Sequence, residues 1–267
     1  MAELVLLSIP IMISQASEAL MMFTDRLLLT PLGKEYPAAS MAGMFGAEIS
    51  RVFFFGLLGY INPLVGQYFG AGQKTNCAKV LVQGLIFSLL IFPVVAALGR
   101  WLMPYYFGWA GIHADELVLV IKYFNVIMFG LFFALASVAF ASYFAGIGDT
   151  RCVMIINMTG MLANIPISYY LIHHGLFGYC QGIEGAALGV SISQGLMATL
   201  YTLYFFRPKH AREFAVAKAF VFAPPILKKL LYFGSPTGIE FFLIFFAFST
   251  YVNLFHSYGT NEALAKM

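Results

Sequence analysis

The sequence predicts an all-α membrane protein, a polytopic bundle of about seven transmembrane helices. Three observations carry this. Of 267 residues, 61% are hydrophobic and 10% charged, against roughly 45–50% and about 25% in soluble domains. Apolar runs of membrane-spanning length recur along the whole chain. Short breaks containing Gly, Pro or charged residues separate them.

The runs fall at about 4–30, 41–68, 80–99, 116–144, 152–173, 183–206 and 227–257. The first is too long for a signal-peptide core, lacks a basic flank and holds two carboxylates, so it is expected to stay in the mature protein. Glu18 and Asp25 are seven residues apart, close to two helical turns, so both project from one face. Gln15 and Met22 complete that face. Such a stripe at bilayer depth requires a wet cavity or polar partners, because an ionisable group there costs roughly 2.5–3.5 kcal/mol even on the lenient insertion scale. Pro10 removes one helical hydrogen bond and is a candidate hinge. In the second run Glu48 and Arg51 form an i, i+3 pair, expected to be a structural ion pair. The break 146–151 reads as a tight turn with an Asp149 helix cap and Gly148 free to take positive φ. In the fifth run Asn157, Met161, Asn164 and Ser168 share a face.

Alternating the breaks between the two sides gathers Lys74, Lys79, Arg151, Arg207, Lys209, Arg212, Lys218, Lys228 and Lys229 on one of them. The other holds Lys34, Arg100 and Lys266. The positive-inside rule makes the first side cytoplasmic, places the N-terminus there, and predicts a multi-pass protein of the plasma or inner membrane. Asp25 then lies about 7–8 Å below Thr30, near the outer end of its helix, and Glu18 is deeper. Segment 207–226 mixes basic residues with Ala, Val and Phe and ends in Pro-Pro, which predicts a cytoplasmic amphipathic linker at the membrane surface. It divides the chain into 1–206, the linker 207–226 and 227–267.

Shifting the chain by 226 residues lays Pro10 on Pro236, Thr24 on Thr250, Leu28 on Leu254 and Gly33 on Gly259. The last helix therefore reads as a second copy of the first, which predicts an inverted or parallel repeat of bundles. The six helices before 207 would form one bundle and the seventh would begin an incomplete second one. The counterpart of Asp25 is Tyr251, so the two halves would not handle an ion alike.

Small net charge without nucleic-acid motifs excludes a polyanion partner. Cys77, Cys152 and Cys180 show no Cys-x-x-Cys spacing, and His173 and His174 are adjacent rather than four apart, so neither a metal site nor an enzyme is expected. No cofactor is expected. The abundant aromatics and 13 methionines suit flat lipophilic cations through cation–π and thioether contacts.

Five motifs occur in order: S-I-P-I-M-I-S-Q followed by Asp25, N-P-L-V-G-Q-Y-F-G-A-G, A-G-I-G-D-T-R, N-I-P-I-S-Y-Y-L-I and G-I-E-G-A-A-L-G-V-S-I-S-Q. Together they resemble the multidrug and toxic compound extrusion (MATE) transporters of the MOP flippase superfamily, over the N-terminal lobe and the first helix of the C-terminal lobe. The resemblance implies a secondary antiporter, monomeric at full length, that exports amphiphilic or cationic organic compounds in exchange for Na⁺ or H⁺ by alternating access. It implies a cation or proton site at Asp25, with Na⁺ as one candidate ligand, and a role for Asn164. Asn157 and Glu18 are the further coupling candidates, while Ser191 and Gln194 are candidates for the cleft or for structural polar contacts. The family's acidic position on the seventh helix falls at Ile244, so that site is absent or moved. A lipid-linked sugar flippase of the same superfamily, or a fragment inactive without a second lobe, are the alternatives.

Overall fold

The computed structural model describes residues 2–110, 112, 114–176 and 179–265, with side chains over 9–110, 112, 116–176 and 179–251. Ten α-helices make up the described chain: α1 (Ala2–Leu29), α2 (Glu35–Gly59), α3 (Ile61–Gly70), α4 (Lys74–Trp109), α5 (Ala114–Phe129), α6 (Leu131–Gly146), α7 (Thr150–His174), α8 (Ile183–Phe205), α9 (Pro208–Glu213) and α10 (Pro224–Ala265). Five spans, one of them the α2–α3 run, are long and apolar enough to cross a membrane, and the bent pair α5–α6 makes six. The first helix is 28 residues long with Pro10 inside it, and it carries Glu18, Asp25 and Arg26 along its length.

The apolar run at 116–144 predicts one helix, but the structure breaks it at Gly130 and bends it by 53°. A side chain does not fit at the break, since a β-carbon on Gly130 would lie 2.4 Å from Ser191 Oγ. The run at 80–99 extends to a helix of 36 residues. Asp149 caps α7 as its type suggests, its Oδ1 accepting from Cys152 N at 3.2 Å, and Gly148 takes φ +84°.

Small residues set the helix contacts. The first helix packs along α7, and α10 packs on α2. Gly234 and Gly238 are one turn apart on α10, and a β-carbon on Gly56 would come within 2.8 Å of Gly238 Cα. Backbones can meet this closely only where side chains are absent, the usual solution where lipid supplies no hydrophobic drive between helices.

The linker divides its apolar residues, Phe220, Val221 and Phe222 being exposed while others face the bundle. Phe214, Val216 and Ala219 are buried against the bundle, and the wholly buried Gln83 of α4 donates to Val221 O at 3.0 Å and accepts from Ala223 N at 3.2 Å. Tyr143 Oη and His210 Nε2 lie 3.0 Å apart. Where the linker meets the bundle, its backbone at Val221 and Ala223 finds partners that lipid does not offer.

Candidate functional site

A cavity of about 650 Å³ opens between α1, α2, α5, α6, α7, α8 and α10. The stripe on α1 forms one wall, with Gln15, Glu18, Met22 and Asp25 all lining it. Helical spacing alone brings them there, and α7 packing behind α1 turns the stripe inward. Arg26 lines the cavity too, although the 100° step from Asp25 predicts it off the stripe. It sits one turn past Met22, so the stripe is wider than a single row.

The environments along that wall differ. Asp25 is 6% exposed and its carboxyl faces Ser168 and Asn164 of α7. Asn164 and Ser168 are wholly buried, and Asn164 Nδ2 donates to Ser168 Oγ at 3.1 Å. Asp25 Oδ1 and Asn164 Oδ1 are both buried without a hydrogen-bond partner. The third such atom among the described residues is Arg100 Nε on α4, whose guanidinium lies 4.2 Å over the Phe129 ring. Each of these two acceptor oxygens lacks a donor, and an unmade bond of this kind costs about 1–3 kcal/mol. A proton or a small hard cation supplies what is missing.

Deeper along α1, Glu18 is open to the cavity. Across from it Glu48 and Arg51 are joined by an ion pair, Arg51 Nε donating to Glu48 Oε1 at 3.1 Å and Nη2 bonding the same oxygen. Arg51 also lies 4.9 Å from the Phe55 ring centroid and is buried, so it is bonded to Glu48 rather than to Glu18.

Asn157 lines the cavity as well, but both ends of its amide are occupied. It donates to Ser14 Oγ at 2.6 Å and accepts from Tyr201 Oη at 2.9 Å, tying α7 to α1 and α8. Gln194 lines the cavity. Ser191 instead donates to Ala187 O at 2.9 Å and packs on Gly130 at the α5–α6 joint. On α10 Phe241 and Phe245 line the cavity while Ile244 points away, 61% exposed. Tyr123 and Ser137 are lining residues that sequence reasoning missed. Tyr123 sits within an apolar run, and nothing local marks it as cavity-facing.

The family model described as MatE matches residues 10–170. The chain is similar to the probable multidrug resistance protein NorM of Chromobacterium violaceum, 25% identical over 258 residues that cover 95% of this chain and 55% of that protein. It is also similar to its counterpart in Mannheimia succiniciproducens, 29% identical over 243 residues, covering 89% and 51%. Among solved structures, a eukaryotic MATE transporter matches with a TM-score of 0.82 at 17% identity, covering 95% of this chain and 55% of that one. A multidrug resistance MATE family transporter in its inward-facing conformation matches with a TM-score of 0.73 at 21% identity, covering 85% and 51%. These likenesses show the fold, and the chain spans about half the length of the curated relatives it matches.

Proposed function

This chain belongs to the MatE family, and from that premise we propose that it serves multidrug efflux by secondary antiport, exporting amphiphilic organic cations in exchange for Na⁺ or H⁺. The observation that supports this reading best is that Asp25, on the cavity wall, faces Asn164 and Ser168 of α7, and that Asp25 Oδ1 and Asn164 Oδ1 are each buried without a donor. An ion bound there relieves both at once, and release leaves both unsatisfied again. That difference is what an alternating-access cycle requires, since an ion shifts a conformational equilibrium only by its differential affinity for the two states. Asp25 carries the charge, and Asn164 with Ser168 supplies neutral oxygens. Asn157 holds α1 against α7 and α8, and Pro10 is the hinge about which α1 flexes.

The six helices through α8, with α5–α6 counted as one span and α2–α3 as another, form one lobe. The linker follows, and α10 begins the second lobe, joined to the first through Gly56 and Gly238. The basic breaks face the cytoplasm, which places the N-terminus there and Asp25 toward the outer side. Three carboxylates against two guanidiniums line the cavity, a balance that favours cations over the pyrophosphate of a lipid-linked sugar. Substitution Asp25→Asn is expected to preserve membrane insertion and abolish ion-driven dye efflux from cells expressing the protein. Undiminished export by that variant would sink the proposal.

A further inference from the structure

We infer that the cavity holds a second, separate carboxylate subsite, centred on Glu18 with the Glu48–Arg51 pair behind it, that takes the cationic head of a lipophilic organic substrate. This rests on the transport reading above and divides its two ligands between two places on one helix.

The division follows from reach. Asp25 Oδ1 is closed off from the cavity by its burial, and its carboxyl is pressed against α7. A bare ion or a proton fits there, but a bulky organic cation does not. Glu18 lies two turns away on the same wall and is open to the same cavity. Among the described residues it makes no hydrogen bond and no ion pair. It does feel the charges of both Arg51 and Glu48.

The cluster is left with an unbalanced charge. The guanidinium of Arg51 is already held by Glu48 and covered by the Phe55 ring. With both carboxylates ionised, two share one guanidinium and the group carries a net charge of −1 in a cavity whose walls are Met22, Met44, Phe45, Phe55, Tyr123 and Phe245. An arriving cation completes the balance without breaking the existing pair. Aromatic faces and thioethers around it favour delocalised, weakly hydrated charge over ammonium or metal ions. A volume of about 650 Å³ lies within the range of drug-sized pockets. The chemical class is therefore an aryl-substituted monocation. Among the described side chains of α10 nothing equivalent stands: Glu240 is exposed and does not line the cavity.

The test is equilibrium binding of tetraphenylphosphonium to the chain in zwitterionic lipid nanodiscs, with empty discs subtracted, alongside the neutral triphenylphosphine oxide. Glu18→Gln is expected to weaken phosphonium binding about tenfold, the loss expected when a charged partner in a low-dielectric cavity becomes neutral. Glu240→Gln, which removes a carboxylate of α10 that does not line the cavity, should bind it within about twofold of the wild type. Binding of the neutral oxide should be equal in all three, which shows in the same samples that the cavity is intact. Unchanged phosphonium binding in Glu18→Gln, or an equal loss in Glu240→Gln, overturns the inference alone. No saturable binding of either probe by the wild-type chain overturns the transport reading and this inference with it.

Discussion

The polar groups between α1 and α7 and the polar groups that dock the linker are built on opposite rules. At the linker the buried side chains are answered: Gln83 uses both ends of its amide on the backbone of Val221 and Ala223, and Tyr143 meets His210. Between α1 and α7 two buried oxygens are left without donors. A satisfied network in a low-dielectric setting fixes one geometry, whereas an unsatisfied one has a free-energy deficit that a ligand can remove. The linker dock therefore reads as a fastening and the cavity wall as a part whose energy depends on what is bound.

The sharpest way to break this comparison is to replace one amide in each region by leucine. Gln83→Leu strands Val221 O and Ala223 N and is expected to lower stability by about 1–3 kcal/mol, read as a reduced melting temperature in detergent. Asn164→Leu removes an orphaned acceptor along with one donated bond, so its melting temperature should fall less than that of Gln83→Leu while ion-driven efflux is lost. Equal destabilisation by both variants would erase the distinction.

A smaller effect comes from pH. Burial among Tyr143, Phe205 and Phe214 holds the His210 imidazole below the ordinary histidine value, with Glu213 and Asp149 pulling the other way. A depressed value means that the docked ring is neutral, so the unfolded chain takes up the proton first as pH falls. Stabilisation by the dock is then complete above about pH 6.5 and declines as the pH drops below it. Hydrogen exchange across 207–223, corrected for intrinsic rates, should quicken on acidification below that value, and His210→Gln should flatten the response. The smallest effect concerns the ion pair of Lys74 with Glu213, whose side chains are both 43% exposed. Hydrogen bonding and attraction from Lys74 hold the Glu213 carboxyl below its usual range. Solvent screening nonetheless makes Lys74→Ala neutral for stability and efflux within assay error, and a marked loss would move this pair into the working part of the molecule.

Much of the cavity wall was legible before any coordinates. Gln15, Glu18, Met22 and Asp25 follow from helical periodicity, and the Glu48–Arg51 pair from its i, i+3 spacing. Asn164 as the partner of Asp25 came only through family resemblance, because the two residues are 139 positions apart and no local pattern joins them. The break at Gly130 was hidden inside a continuous apolar run, and the Ser191 contact that requires a glycine there lies on another element. Gln83 drew no notice for the same reason: one amide in an apolar helix has no visible purpose until the linker lies across it.

Composition and periodicity by themselves determined that this chain is a membrane helix bundle, which side of it is basic, and that one face of the first helix is polar. Those properties are local, set by what each residue does to transfer free energy and helix geometry. Tertiary structure alone decided which carboxylate is buried and which is exposed. Desolvation and hydrogen-bond satisfaction depend on what packs opposite: α7 closes over Asp25, while Glu18, on the same face two turns away, is left open to the cavity.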